Sequence, residues 1–420
     1  MNKFASLGLD KALTDAVTSL GYSEPTAIQR QAIPAILANK DVMAGAQTGT
    51  GKTAAFALPI LHKLTQSIPV KPQVRALVLT PTRELAQQVF KSFKQYAENT
   101  EIKIGVAYGG VSINPQIATI NKGIDVLVAT PGRLLDHLIN ESLSLAHLTT
   151  IVFDEADRML DLGFKDEINR ILNRAPAVRQ TLLFSATFDD EIFKLSKHLL
   201  TDPELIEVGE RNAAAAKVEQ VVYCVDKDRK RELTSYLIGS KNWQQVLVFT
   251  RTKQGADELA KEMSKDGIKT QSIHGDKSQG AREKALADFK SGKVRALVAT
   301  DVAARGIDII DLNVVINYEL PYIAEDYVHR IGRTGRAGKE GLALSLMSPD
   351  EEWLLTAVEK VVDNRLLQQW LPGYEPDLTK TEKNNTQARR KPSKQKMRQD
   401  ALSGNVKTNK RRSGKNKFSR

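Results

Sequence analysis

The strongest constraint on the fold of this chain is a glycine-rich run that joins an apolar stretch to a helical pattern. It follows Val42 to Ala44 and consists of Ala46, Gln47, Thr48, Gly49, Thr50, Gly51, Lys52 and Thr53. A glycine turn that opens a helix points backbone N–H groups and the positive end of the helix dipole at an anion. The run therefore predicts a phosphate loop, in which Lys52 binds phosphates and Thr53 offers an oxygen to Mg²⁺.

An acidic cluster at the end of another apolar run complements this loop. Residues 149–153 predict a buried parallel strand that ends at Asp154, Glu155 and Asp157. Each motif alone has an ordinary alternative, a tight turn or a helix cap. Together they predict a nucleoside triphosphatase, because ligands bind at the carboxyl edge of such sheets. Asp154 would hold Mg²⁺ through its water shell, and Glu155 would deprotonate the attacking water.

The composition of the chain limits the classes of protein and of cellular setting that remain possible. A length of 420 residues suits about two or three domains. The single cysteine, Cys224, excludes an internal disulfide and a cysteine-rich metal site. The N-terminus lacks the apolar core of a signal peptide, and no segment reaches the ~18 to 20 apolar residues of a membrane span. We therefore expect a reducing, cytoplasmic setting.

Short apolar runs alternate with helical patterns in both halves of the chain. In the first half the runs are 42–44, 76–79, 104–107, 125–129, 150–153 and 181–184. In the second half they are 220–225, 245–249, 270–273, 295–299, 314–317 and 342–346. This alternation predicts an α/β protein with two tandem doubly wound parallel-sheet domains. We expect these domains at residues 1–207 and 218–375, with a linker at 208–217.

The positive charge of the chain is concentrated at its C-terminal end. Residues 376–420 contain 15 Lys and Arg against 3 Asp and Glu, a net charge of +12, whereas residues 1–375 carry −1. This segment has too few apolar side chains to offset the entropy of ordering, so we expect a disordered tail. Such a charge run favours capture of a polyanion, most naturally nucleic acid, over a role in solubility alone.

A second cluster of arginines lies in the second half of the chain. His329, Arg330, Arg333 and Arg336 fall at helical spacing, next to Gly332 and Gly335. Solvated salt bridges are one interpretation, but guanidinium groups beside glycines favour a phosphate or an interdomain contact. An arginine that reaches the γ-phosphate from a separate domain makes hydrolysis conditional on domain closure.

With these motifs, roughly residues 1–345 resemble the DEAD-box ATP-dependent RNA helicases. The resemblance implies two RecA-like domains, with ATP and Mg²⁺ as ligands. Residues 21–29 are similar to the adenine-reading element of the family, and Ala46 is the usual residue there. By resemblance, the further nucleotide contacts are Phe4, Tyr22, Gln29, Gly306 and Asp308. The residues that couple hydrolysis to strand separation are Ser185, Thr187, Asp157, His329 and Arg330.

The resemblance also implies an RNA track along both domains. In the first domain its residues are Pro81, Thr82, Arg83, Gly109, Gly110, Thr130, Pro131, Gly132 and Arg133. In the second domain they are Thr250, Arg251, Gly275, Arg282, Thr300 and Asp301. Backbone N–H groups, hydroxyls and arginines bind phosphates without reading bases, so affinity should be largely independent of sequence.

Residues 110–116, 242–253 and 372–376 are similar to the bacterial RhlE-type subgroup. This similarity implies work on structured RNA in ribosome assembly or RNA turnover, with ribosomal precursors or turnover machinery as partners. We expect a monomer. A nucleotide-controlled RNA clamp or annealer is the main alternative, and a DNA helicase is the third, since phosphate contacts do not distinguish the two sugars.

Overall fold

The computed structural model describes residues 3–45, 50–67, 73–188, 190–208, 218–304, 309, 312–335 and 341–377. Two parallel sheets, each of seven strands, organise these residues. The first sheet contains β1 Val42–Gly45, β2 Ala76–Leu79, β3 Ile104–Ala107, β4 Val126–Ala129, β5 Thr150–Asp154, β6 Gln180–Ser185 and β7 Glu204–Glu207. Its strand order is β3-β4-β2-β5-β6-β1-β7, so the phosphate-loop strand β1 and the acidic strand β5 flank β6.

The second sheet repeats this arrangement in the second half of the chain. Its strands are β8 Val218–Cys224, β9 Val246–Thr250, β10 Thr270–Ile273, β11 Ala296–Thr300, β12 Val314–Asn317, β13 Gly341–Met347 and β14 Leu367–Gln369. They are ordered β10-β11-β9-β12-β13-β8-β14. The predicted α/β fold with two RecA-like domains is therefore confirmed.

Helices cover both faces of each sheet. In the first domain they are α1 Lys11–Ser19, α2 Ala27–Leu37, α3 Lys52–Thr65, α4 Arg83–Tyr96, α5 Asn114–Asn121, α6 Pro131–Ile139, α7 Ala156–Asp161, α8 Lys165–Leu172 and α9 Asp190–Leu199. In the second domain they are α10 Lys230–Ser240, α11 Lys253–Lys265, α12 Gln279–Lys290, α13 Asp301–Ala304, α14 Ala324–Ile331 and α15 Glu352–Val362. Short 3₁₀ helices lie at Ala5–Leu7, Lys227–Arg229 and Pro349–Glu351.

The alternation of side chains along each strand divides the core between the two faces. In β2, Ala76 and Val78 join one buried cluster, whereas Leu77 and Leu79 join the cluster on the opposite face. A strand buried on both faces has to be apolar throughout, which is why these strands are continuous apolar runs in the sequence. Three helices start where a side chain accepts a backbone N–H: Thr82 Oγ1 accepts from Leu85 at 3.3 Å before α4, and Thr252 and Ser278 do the same before α11 and α12.

Two strands were absent from the prediction. β7 and β14 are edge strands, and Leu205 in β7 and Leu367 in β14 are exposed. Few positions of these two strands are buried, so they leave no apolar run in the sequence. The predicted start of the tail at residue 376 also differs from the structure. Pro376 is buried, and the backbone N–H of Asp377 donates to the carboxylate of Asp226 at 3.2 Å.

None of the described helices is long and apolar enough to cross a membrane. Residues 209–217, most of the predicted linker, and residues 378–420 lie outside the described residues.

Candidate ATP and RNA sites

The phosphate-loop lysine lies buried at the start of α3. Lys52 is the first residue of that helix, and within the described residues its Nζ has no hydrogen-bond partner. Gly51 precedes it with a φ of +90°, and a Cβ there would lie 2.4 Å from Gln29 Nε2. Only glycine fits this position, because it needs both a left-handed backbone and a close approach by α2. Ala46 to Gly49 lie outside the described residues.

The acidic pair lies at the end of β5, next to this lysine. Asp154 is buried, and its Oδ1 also lacks a hydrogen-bond partner among the described residues. Burial raises the pKa of Asp154 to about 7, although the charge of Lys52 opposes the shift. Glu155 has a left-handed φ of 55°, a strained conformation for a non-glycine residue, and burial raises its pKa.

These orphaned groups provide a test of whether a magnesium nucleotide suits the site. A buried ammonium and a buried carboxylate oxygen without partners are costly, so a ligand that pairs both would stabilise the closed site. An ammonium is a phosphate ligand, and a carboxylate oxygen is the kind of ligand that Mg²⁺ prefers. The residues present therefore fit the group.

Gln29 holds the adenine-reading element against the phosphate loop. Its Oε1 accepts the backbone N–H of Thr26 at 2.9 Å, and its Nε2 donates to the carbonyl of Gly51 at 3.1 Å. Each of these bonds uses only part of the amide, so one N–H and further lone pairs are left for a base. Phe4 is fully buried in the core of the first domain, whereas Tyr22 is 39% exposed.

Asp157 connects the acidic strand with the segment after β6. Its Oδ2 accepts the backbone N–H of Thr187 at 3.2 Å and the Thr187 hydroxyl at 3.2 Å. The same oxygen accepts the N–H of Ala186, while Ser185 is buried at the end of β6. The structure thus brings together two segments that the sequence assigned to hydrolysis and to coupling.

Residues of the second domain complete this region from the opposite side. A cavity between the domains is lined by Glu155, Asp157, Arg158, Ala186, His329 and Arg333. The positive charge of Arg333 acts on Glu155 and opposes the rise in its pKa. Burial lowers the pKa of His329 to about 4, against the opposing charge of Asp157, so this imidazole is neutral at pH 7. Arg336, Gly306 and Asp308 lie outside the described residues.

Comparison with known proteins agrees with this geometry. Residues 26–195 match the family model described as DEAD/DEAH box helicase, and residues 229–338 match the helicase conserved C-terminal domain. The ATP-dependent RNA helicase CshA of Listeria monocytogenes is 43% identical over 375 residues, which are 89% of this chain and 72% of that protein. The chain belongs to the DEAD-box family of ATP-dependent RNA helicases.

Solved structures of DEAD-box proteins show which domain arrangement this chain resembles. S. cerevisiae Dbp5 bound to RNA and ADP BeF3 is 30% identical, with a TM-score of 0.79 over 96% of this chain and 100% of that chain. A DEAD-box protein from Methanococcus jannaschii is 39% identical, yet its TM-score is 0.51 over 87% of this chain and 99% of that chain. The chain as a whole therefore superposes better on the RNA-bound and nucleotide-bound Dbp5, although its sequence is more similar to the Methanococcus jannaschii protein.

The residues that the sequence predicted as the RNA track of the first domain lie at the carboxyl ends of β2, β3 and β4. Pro81 and Thr82 precede α4, and the Arg83 guanidinium crosses Gly110, where a Cβ would lie 1.9 Å from Nη1. Thr130, Pro131 and Gly132 form the start of α6, and Gly109 follows β3. Arg133 donates to the carbonyl of Val111 at 2.9 Å, and its Nη1 is buried without a hydrogen-bond partner in the described residues.

The residues predicted as the RNA track of the second domain are built differently, because Arg251 and the nearby Arg330 are paired with carboxylates of their own domain. Arg251 contacts the carboxylates of Glu319 at 3.1 Å and Glu351 at 2.6 Å. Arg330 is buried and binds both oxygens of Asp301, at 2.6 and 2.8 Å. The remaining members lie at strand ends, and they are Thr250, Thr300 and Gly275.

Arg282 contacts the other domain. Its Nη2 lies 2.9 Å from Oε1 of Glu84 in α4, and both residues are only 7% exposed. A second contact joins the same helices, since Gln87 Nε2 donates to Glu283 Oε1 at 3.1 Å. The sequence predicted Arg282 as an RNA contact and did not single out Glu84. Only the placement of α4 opposite α12 shows that the two charges meet.

Proposed function

We propose that this chain uses ATP hydrolysis to close its two domains on RNA and to separate duplexes locally, in ribosome assembly or RNA turnover in the cytoplasm. The observation that supports this function is that Lys52 Nζ and Asp154 Oδ1 are buried without hydrogen-bond partners among the described residues, while the neighbouring Glu155 faces the second-domain residues His329 and Arg333 across one cavity. Charges that lack partners in one domain, next to an arginine from the other, suit a triphosphate held between them.

Each residue of the ATP site has a proposed role in this mechanism. Lys52 binds the phosphates, and Gln29 uses the remaining capacity of its amide to read adenine. Thr53, and Asp154 through water, would hold Mg²⁺, which would neutralise charge on the phosphates when bound. Glu155 takes a proton from the attacking water, and its raised pKa makes it a better acceptor than a solvated carboxylate. Arg333, with Arg336, contacts the γ-phosphate once the domains meet.

The RNA track is proposed to bind phosphates mainly through backbone groups and hydroxyls at strand ends and helix starts. The described geometry supports this view, because Arg251 and Arg330 are already paired with carboxylates. Backbone N–H groups at the starts of α4 and α6 face an anion with favourable helix dipoles. Contacts of this kind carry no base information, so the substrate class is RNA of any sequence.

Domain organisation and partners complete the proposal. We take the first RecA-like domain as residues 1–207, the linker as 208–217 and the second domain as 218–377, two residues longer than the sequence alone indicated. The basic tail beyond it adds affinity for RNA, and the chain acts as a monomer. Membership of the RhlE-type subgroup stays a prediction, since the relative named above is a CshA helicase.

Comparison of ATP turnover without a polymer, with single-stranded DNA and with RNA tests this function. We expect RNA to raise turnover well above both other conditions, and a short RNA duplex to separate only when ATP is present. The Lys52→Ala variant controls for a contaminating ATPase. Equal turnover with and without RNA would contradict an RNA-dependent motor.

The charge of +12 on residues 376–420 favours a second candidate, an RNA clamp or annealer with incidental unwinding. In that case the tail would pair complementary strands without ATP, and its removal would abolish annealing. Annealing assays of the full chain and of a chain that ends at Asp377, each with and without ATP, distinguish the two functions. Annealing that depends on the tail and not on ATP supports this candidate.

A further inference from the structure

Glu319 contacts one residue of the RNA track twice. It follows β12, and its Oε2 accepts the backbone N–H of Arg251 at 2.7 Å. Its Oε1 accepts from the guanidinium of the same residue at 3.1 Å. The two oxygens of one carboxylate thus fix both the backbone and the side chain of the residue that directly follows β9.

The backbone of Glu319 is bonded to a different part of the site. Its carbonyl accepts from Nη1 of Arg330 at 2.6 Å, and its N–H donates to the carbonyl of Phe249 at 3.3 Å. Arg330 belongs to α14, the helix that also carries His329 and that leads to Arg333. One residue therefore touches the RNA segment with its side chain and the ATP-facing helix with its carbonyl.

We propose that Glu319 is a positioning residue that joins the RNA segment Thr250–Arg251 to helix α14, so that the second domain presents both as one rigid unit. This inference rests on the RNA track proposed above. It assigns Glu319 a function that no sequence motif suggested, and it gives a route by which RNA at the end of β9 aligns the arginine helix.

The charges around Arg251 argue against a simple role for it as a phosphate ligand. Glu351 also binds Arg251, at 2.6 Å, and Lys230 lies against the other oxygen of Glu351. The four groups Lys230, Arg251, Glu319 and Glu351 carry no net charge, and the ring of Tyr322 covers the guanidinium at 4.7 Å. A phosphate would gain little from this neutral cluster, so RNA contacts of the segment fall mainly to its backbone.

Replacement of Glu319 separates positioning from electrostatics, because the two predict opposite signs. Glu319→Gln removes a negative charge from the RNA side and should tighten RNA binding if charge alone mattered. If Glu319 positions the segment, Glu319→Gln and Glu319→Ala weaken it, since bonds to a charged acceptor are lost. The pairing with Glu351 remains in both variants, so Arg251 keeps a carboxylate partner.

The measurement is ATP turnover of the full chain across a range of RNA concentrations. We expect Glu319→Ala to raise the RNA concentration for half-maximal stimulation about tenfold, from the strength of charged hydrogen bonds. The Michaelis constant for ATP without RNA should change far less, since Lys52 and Gln29 lie in the other domain. Glu319→Asp should restore part of the RNA response. The matched control is Glu219→Gln, the same charge change at an exposed position of β8, which should leave the RNA response as it was.

A double-mutant cycle with Arg251→Met completes the test. If the two side chains act through their contact, the double variant Arg251→Met with Glu319→Ala loses less than the sum of the two single losses, although the bond from the Arg251 backbone N–H to Glu319 survives Arg251→Met and keeps part of the Glu319→Ala effect. Additive losses, or RNA binding by Glu319→Gln as tight as that of the unsubstituted chain, overturn the inference. So does a loss of RNA response that merely follows a lowered thermal unfolding midpoint. Absence of RNA stimulation in the unsubstituted chain would instead overturn the proposed function and this inference together.

Discussion

The carboxyl edges of the two sheets hold charged side chains in opposite states. At the first edge, Lys52 Nζ and Asp154 Oδ1 are buried without hydrogen-bond partners in the described part of the chain. At the second edge, Arg251 and Arg330 are paired with carboxylates of their own domain. The same fold thus leaves buried charges of the first domain available to a ligand. In the second domain it holds loops in place through ion pairs.

From this difference we expect only the first domain to bind the triphosphate by itself. Unpaired buried charges are costly, and a ligand that pairs them gains the free energy that the protein alone lacks. The paired charges of the second domain would gain little free energy from a ligand. They instead hold α14 and the strand ends in a fixed arrangement. We therefore expect substitutions at the first edge to abolish chemistry and those at the second edge to change alignment.

The largest effect on ATP turnover should come from the first edge. Glu155→Gln should lower turnover by up to about 10⁴-fold while ATP still binds, because the carboxylate is needed only when water attacks. Lys52→Ala should instead lose ATP binding itself. Titration with a fluorescent ATP analogue and steady-state hydrolysis separate the two results. Near-normal turnover by purified Glu155→Gln would exclude Glu155 as the base.

Arg333 tests whether the second edge contributes directly to the chemistry. Arg333→Ala should reduce RNA-stimulated turnover about 10³-fold, by analogy with arginines that reach a γ-phosphate from another domain. ATP binding without RNA should change little, because the nucleotide is held by the first domain. Arg333→Lys is the conservative control, since it keeps the charge and loses the planar fork. RNA-stimulated turnover that survives Arg333→Ala would show that the domains meet without this contact.

The sequence predicts features that depend on neighbouring residues. It does not predict contacts between residues that lie far apart in the chain. The phosphate loop, the acidic strand end and the interior strands were all readable, because each depends on neighbouring residues. The pairing of Glu84 with Arg282 and of Glu319 with Arg251 was not, since both pairs join residues far apart in the chain. A lone glutamate on a helix or after a strand carries no signal until its partner is known.

The interdomain ion pair should have an intermediate effect. Arg282→Ala leaves Glu84 buried and unpaired in the closed arrangement, so we expect closure and RNA-stimulated turnover to weaken about tenfold. RNA-free turnover should be less affected. The double variant Glu84→Gln with Arg282→Gln leaves no unpaired charge and should recover part of the loss. If each single variant lost as little as a Lys265→Gln control at an exposed position of α11, the pair would not contribute to closure.

The smallest effect on basal ATP turnover should follow removal of residues 378–420. The paired charges leave the second-domain part of the predicted RNA track nearly neutral, and residues 1–377 have a net charge of −2, so most of the cationic attraction for RNA should come from the tail. Truncation after Asp377 should therefore keep RNA-free hydrolysis within about twofold and flatten the fall of RNA affinity with salt. Each lost phosphate contact removes about 0.7 from the slope on single-stranded RNA.

Not every basic side chain of the tail can reach a phosphate at once. The salt slope of RNA affinity should therefore decrease by several units at most. The measurement is RNA affinity of the full and truncated chains across a salt series, with RNA-free hydrolysis measured in parallel. Equal salt slopes for the full and truncated chains would mean that the predicted RNA track itself binds RNA by charge. That result would contradict the neutral charge pairing of the second domain. A collapse of RNA-free hydrolysis would mean that the tail contributes to the catalytic core. A flattened slope with intact hydrolysis would assign charge attraction to the tail and alignment to the paired residues of the second domain.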